Sequence, residues 1–468
     1  MDAVLLSRLQ MAFTLSYHIL FPTLTIGLAW FLVMLEFRWL RQRADQDPSG
    51  QHANKLLTLY RFWSKVFALN FGMGVVSGIV LSYEFGTNFA PFSAATGNVI
   101  GPLMSYEVLS AFFLEAGFLG VMLFGHNRVP PWLHFFATLM VGIGTLMSAF
   151  WILAAHSWMQ TPAGTELIDG RFVVVDWWAV VFNPSFPYRL SHMLAASFLT
   201  TAFVVLGVSA YQWRRQQAGA DIALKMALAM AMVVAPLQIF LGDLHGLQVR
   251  RDQPLKLAAM EGVWETERGA PLLLFAIPDQ QAEKNHYEIA IPKLASLIVT
   301  HDADGEIRGL KSVPASERPK VLPVFWSFRV MVGLGLLMLL FALWGSWRAL
   351  RGKLLHDSKW LRLAPWLIPC GFVATLAGWW VAEIGRQPWL VYGLLRTRDG
   401  ASVLPAERIL ESLVLFALVY VALFGLFLFY VARVVRAGLP GVAGHDLTPV
   451  LPRSTAVVID QPAVEPER

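Results

Sequence analysis

Cysteine is nearly absent. Cys370 is the single one among 468 residues and lies in an apolar run. One cysteine allows no intrachain disulfide, no Cys-x-x-Cys-His haem attachment and no cysteine-held iron–sulfur cluster. Charge is scarce as well: 15% of residues are charged and the net charge is +5, too small a surplus to argue for a nucleic-acid partner. The first apolar run has no basic stretch ahead of it, so no cleavable signal peptide is expected. No internal repeat is evident, which disfavours transporters built from inverted repeats.

What the chain has is apolar length. Hydrophobic residues make up 56% of it and the mean hydropathy is +0.53, the composition of a polytopic membrane protein. A helical span takes about 20 largely apolar residues. Nine runs qualify, at about 9–37, 62–83, 101–125, 132–158, 190–211, 222–244, 322–347, 363–384 and 409–433. The expected fold class is all-α, a polytopic membrane protein with nine transmembrane helices.

Orientation follows from the short loops. Arg38, Arg41, Arg43, Lys55 and Arg61 follow span 1, and Arg348, Arg351, Lys353, Lys359 and Arg362 follow span 7. The loop after span 2 has no Lys or Arg between Phe85 and Ile100. The positive-inside rule then places the N-terminus outside and the C-terminus inside. The loop after span 8 breaks the rule with Arg386, Arg396, Arg398 and Arg408. Either the rule fails there, or some of these arginines meet anionic groups such as haem propionates. The expected organisation is helices 1–6 over 1–244, a long outer loop over 245–321, helices 7–9 over 322–436, and a disordered inner tail over 437–468.

The stretch from Gly378 to Trp389 closes the eighth run and carries Trp379, Glu383 and Arg386. A charge at mid-membrane costs roughly 2.5–3.5 kcal/mol on insertion scales, so it needs a partner or a function. Glu383 reads either as an ion pair with Arg386 at the lipid boundary or as a ligand. On the expected topology His18 and Met331 lie roughly 13 Å below the outer surface. His192, Glu383 and Glu107 lie in the same outer half. Glu115 is deeper, roughly 21 Å down. Haem suits these residue types, since His and Met can clamp one iron from two helices. Packing is the competing reading for a lone membrane histidine, and filler for any one of 16 methionines. No span holds the paired histidines of a four-helix dihaem cytochrome b. The span histidines are also too dispersed for a copper site.

At these residues the chain resembles subunit I of the cytochrome bd-type quinol oxidases. The matching stretches are Ser7-Arg8-Leu9-Gln10, Tyr17-His18, Glu84-Phe85-Gly86-Thr87-Asn88, Ala111-Phe112-Phe113-Leu114-Glu115 and Trp158-Met159-Gln160. Further on come Lys256-Leu257-Ala258-Ala259, Trp264-Glu265-Thr266, Ile277-Pro278-Asp279-Gln280, Phe328-Arg329-Val330-Met331 and Gly385-Arg386-Gln387-Pro388-Trp389. Each is weak alone, but in this order and on these runs they are specific.

The resemblance implies a bacterial inner-membrane oxidase subunit with a periplasmic N-terminus and a cytoplasmic C-terminus. It would oxidise quinol at the periplasmic loop and reduce oxygen to water, generating a proton gradient without pumping. His192 and Met331 would ligate a low-spin haem b. His18 and Glu383 would ligate a high-spin haem b and a haem d, or a further haem b in place of the latter. Trp379 would lie between haems, Arg329 and Arg386 would face propionates, and Glu107 and Glu115 would deliver protons. Lys256 and Glu261 would serve the quinol, ubiquinol or menaquinol. A second membrane subunit, and sometimes a small single-helix one, is implied. The short loop points to the branch that includes cyanide-insensitive oxidases. His156 stands where better-known members have an amide, and packing is its expected role. The alternatives are a haem b quinone oxidoreductase with another acceptor and a non-redox proton-coupled transporter.

Overall fold

A computed structural model describes residues 2–45 and 50–439. Most of the expected tail, from residue 440 on, lies outside the described residues. Among the described residues nine helices are long and apolar enough to cross a membrane. They are numbered here in chain order: α1 Ala3–Asp45, α2 Gln51–Thr87, α3 Ala90–Phe124, α4 Pro131–Gln160, α5 Phe186–Arg214, α6 Ala220–Asp252, α7 Val321–Leu350, α8 Ser358–Ile384 and α9 Ala406–Ala437.

The helices outrun the apolar runs that announce them. The stretch from Phe85 to Ile100, read as a loop, is helical except for a break at Asn88 and Phe89. Pro91 follows that break in the first turn of α3, where its missing N–H costs nothing. At its far end α6 continues to Asp252 rather than stopping near 244. Hydropathy marks the part of a helix that lipid requires to be apolar, and polar turns beyond it stay helical.

Burial orders the bundle. The most apolar stretches of α1 and α5 are 72% and 78% buried, whereas that of α9 is 6% buried. The largest core cluster joins α1, α2, α5 and α6 through Leu28, Phe31, Trp63, Phe203 and Leu224, and includes Phe341 of α7 and Trp360 of α8, which stack on each other. Dense apolar packing of this kind fixes the relative positions of the central helices.

Small β-elements supplement the helices. Thr165–Ile168 pairs with Arg171–Val174 across Asp169-Gly170, both at positive φ (49° and 76°), the turn geometry that matches strand twist. In the long connection, Leu272–Asp279 pairs antiparallel with Lys284–Ile291. The Asp279 carboxylate accepts the amides of Gln281 and Ala282 at 2.9 and 3.0 Å and shapes that turn. Backbone amides and His286 hold it below the ordinary carboxylate value.

The connection is a packed unit. It begins with a helix, Pro254–Glu261, whose six residues Lys256–Glu261 are all buried. Leu257, Val263, Val299 and Leu310 pack with Val249 of α6, Val324 of α7 and Val381 of α8. Gln280 closes the loop back on the chain: its side chain accepts from the Val321 amide at 3.0 Å and donates to the Pro319 carbonyl at 3.4 Å.

Candidate functional site

A polar cluster sits where the end of α8 meets α4, α5 and the helix Pro254–Glu261. Glu383 is its centre. One carboxylate oxygen bonds the His156 Nε2 of α4 and receives a long bond from Gln160 at 3.4 Å. The other accepts Arg386 Nη2 at 2.5 Å. His156 therefore does more than pack, although its ring also lies on Trp379 with centroids 4.4 Å apart. Lys256 donates to Gln160 Oε1 at 2.6 Å, and Gln253 donates to the Gln160 carbonyl at 2.8 Å. Burial first, then the charges of Arg189 and Arg386, push the Lys256 amine well below the usual lysine range.

The four arginines that broke the charge rule each meet a carboxylate of the protein. Arg386 pairs with Glu383, Arg396 with Glu317 at 3.2 Å, Arg398 with Asp399 at 3.4 Å and Arg408 with Glu411 at 3.1 Å. Arg386 alone of these is almost wholly buried, at 2% exposure. Its Nε and Nη1 have no hydrogen-bond partner, and nor does the Nε of buried Arg189. Buried guanidinium nitrogens without partners are costly, and an anion brought by a ligand would satisfy them.

Three of the expected iron-binding side chains face a glycine. A Cβ on Gly378 would stand 3.0 Å from Met331 Sδ, one on Gly242 3.4 Å from His192 Cε1, and one on Gly78 3.2 Å from His18 Cε1. Local bonds orient the two histidines. His18 Nδ1 pairs with Ser77 Oγ at 2.9 Å, and Gln238 Nε2 lies 3.2 Å from His192 Nε2. His245 adds a ring 5.5 Å from that of His192, and its Nε2 has no partner.

Glu107 and Glu115 both address α4. Ser148 donates to Glu107 at 2.7 Å, and a Cβ on Gly144, one turn away, would meet the Glu115 side chain at 2.5 Å. Eight residues of regular α-helix would leave the two about 80° apart. A π-helical turn over Glu107–Phe112 rotates more slowly per residue and brings them toward one face.

Arg329 is held by the long connection. Its Nε donates to the Leu273 carbonyl at 2.7 Å, Nη1 to Met260 at 2.9 Å and Nη2 to Glu261 at 2.9 Å. In this structure it fastens α7 to the long connection, and it takes Glu261 as its partner.

The profile of the cytochrome bd terminal oxidase subunit I family matches residues 6–439. The chain belongs to that family. Cytochrome bd ubiquinol oxidase subunit 1 of Bacillus subtilis (strain 168) is 36% identical over 96% of both chains. Cytochrome bd-II ubiquinol oxidase subunit 1 of Escherichia coli (strain K12) is 32% identical over 90% of this chain and 93% of its own. The solved bd oxidase from Geobacillus thermodenitrificans superposes with a TM-score of 0.84 at 29% identity, covering 93% of this chain and 99% of that one. This bd oxidase subunit is thus a mostly helical, multi-pass oxidoreductase component of a bacterial inner membrane, from a family of haem-carrying, multi-subunit enzymes. Sequence reasoning missed Arg189, Gln238 and His245. It quoted Gln160 within a motif but assigned it no role.

Proposed function

We propose that this subunit oxidises quinol at the 245–321 connection and reduces oxygen to water, with its N-terminus periplasmic and its C-terminus cytoplasmic. The observation that carries this reading is the Glu383 cluster. There a carboxylate, an imidazole, two buried guanidiniums and a buried amine converge beside Trp379, and three guanidinium nitrogens are left without partners.

The unpartnered nitrogens, the His, Met and Glu donor set and the three glycine-faced side chains fit haem. His192 and Met331 would hold a low-spin haem b, and His18 and Glu383 a high-spin haem b and a haem d or a second b in its place. Bound there, the haems supply one-electron transfer and the reduction of oxygen. Arg386 neutralises an acidic edge of a cofactor. Trp379, held against His156, fills the space beside it and excludes water.

Lys256 and Glu261 bracket the short buried helix and serve the quinol. A neutral Lys256 amine can accept a hydroxyl proton, which burial and neighbouring cations favour. The protons then leave to the periplasm, while Glu107 and Glu115 hold protons arriving from the cytoplasmic side for water formation. Charge separates across the membrane without a pump. A second membrane subunit covers part of the apolar exterior, and a small single-helix subunit completes some assemblies.

The test is a reduced-minus-oxidised spectrum with haem extraction, alongside oxygen uptake driven by quinol. Oxygen uptake with three haems per complex supports the reading, whereas a colourless preparation defeats it. In His192→Ala the low-spin band should vanish while the high-spin bands persist in part. Lower stability with full haem content would refute that ligand.

A further inference from the structure

Arg189 lies three residues before His192 within α5, and Arg386 lies three residues after Glu383, just past the end of α8. The spacing puts Arg189 and His192 on one face of α5, about 4.5 Å apart along its axis. Both arginines are buried, at 7% and 2% exposure, and both carry unpartnered nitrogen atoms. They are close enough to repel each other, and Glu383 attracts both. Lys256, 2% exposed, lies in the same field, which disfavours a third charge there.

The charges do not balance. Arg189 and Arg386 are two guanidiniums, and the single carboxylate of Glu383 acts on both. The imidazoles of His156, His192 and His245 supply no negative charge. Unpaired buried charge is expensive, so the cluster calls for a further anion. Planar guanidiniums with open N–H groups favour carboxylates, which they can grip with two parallel bonds.

We propose that Arg189 anchors a carboxylate of the haem held through His192, beside the carboxylate contact of Arg386. This assignment rests on the reading of His192 as a haem ligand. Two arginines close enough to repel each other would then bring acidic edges of two cofactors into one cluster of charge. A buried cation beside a haem stabilises its reduced form, which carries one positive charge fewer. Arg189 therefore raises the low-spin midpoint potential.

The test uses the intact purified oxidase and its Arg189→Gln and Arg189→Lys variants. The low-spin band is followed through a redox titration. At fixed potential, Arg189→Gln should shift the reduced-to-oxidised ratio at least tenfold toward oxidised, about 59 mV for a one-electron couple. Arg189→Lys should remain within about threefold of the parent, roughly 30 mV on the same scale. A full band with an unmoved midpoint in Arg189→Gln overturns the proposal. If Arg189→Gln loses the band, Arg189→Lys decides: retention of the band supports a charge contact, and loss overturns it. A parent enzyme without a low-spin band would remove the His192 assignment and this inference together. An intact band with an unmoved midpoint would remove the inference alone.

Discussion

Arg386 donates to Glu383 across a single turn at the end of α8, at 2.5 Å, with the arginine almost fully buried. The bond occupies one guanidinium nitrogen and leaves two without partners. Glu383 also bonds His156 from a helix more than two hundred residues away in sequence. It is therefore both a prospective ligand and the counter-charge of the cluster.

Removing that counter-charge should be expensive. Glu383→Ala leaves Arg386 buried without its carboxylate, a change that typically costs roughly 3–5 kcal/mol. The purified variant should lose one high-spin haem and unfold at lower temperature. Glu383→Gln keeps the shape and should lose the haem with a smaller drop in stability. Full haem content in both, measured by extraction, would remove Glu383 from the ligand set.

Gly378 tests the placement of Met331. Its Cβ would lie 3.0 Å from the sulfur, too close unless the methionine moves. Gly378→Ala should weaken methionine ligation and lower the low-spin midpoint potential, since methionine raises it. Gly335→Ala on α7, where a Cβ meets nothing within 4 Å, should leave the spectrum unchanged. Equal spectra for both variants would mean that Met331 is only a packing residue.

Arg329 should behave as a fastener of the connection. Three of its bonds run to Met260, Glu261 and Leu273. Hydrogen bonds to charged groups contribute about 1.5–3 kcal/mol each. Arg329→Leu should raise the quinol KM roughly tenfold, about 1.4 kcal/mol, while haem spectra stay close to the parent. A shifted haem band with an unchanged KM would restore the expectation that this arginine faces a propionate.

Asp279 gives the loop a dependence on acid. Its folded pKa is lowered by the amides of Ala282 and Gln281 and by His286. The ionised side chain stabilises the turn fully above the ordinary aspartate value, and that support is lost as pH falls through the depressed one. Asp279→Ala should speed hydrogen exchange at the Gln281 and Ala282 amides at neutral pH and flatten its acid dependence. Exchange rates matching the parent would show that the pairing of the strands alone holds the turn.

The fold was largely legible because lipid imposes a simple demand. Twenty apolar residues in a row have few other uses, and each of the nine expected spans has its helix among the described residues. Individual site residues such as Glu383 and Glu115 were also visible, because charge inside an apolar run is conspicuous. Their partners were not. Gln160 meets Lys256 across 96 positions, and His156 meets Glu383 across 227. No local period encodes such pairings. Arg189 was overlooked because the apolar run begins just after it, which made it look like a flanking charge. The protein partners of Arg329 were not visible, because its own helix says nothing of the carbonyls that Met260 and Leu273 bring to it.

Gln280 reaches the chain just ahead of α7 and shuts the long connection into a ring. A segment already held in this way has little freedom left to surrender when a substrate arrives. On the proposed reading the quinol would meet a surface already in place, so selectivity for one quinone tail or ring over another would come from fixed shape rather than from a strand that wraps around its guest.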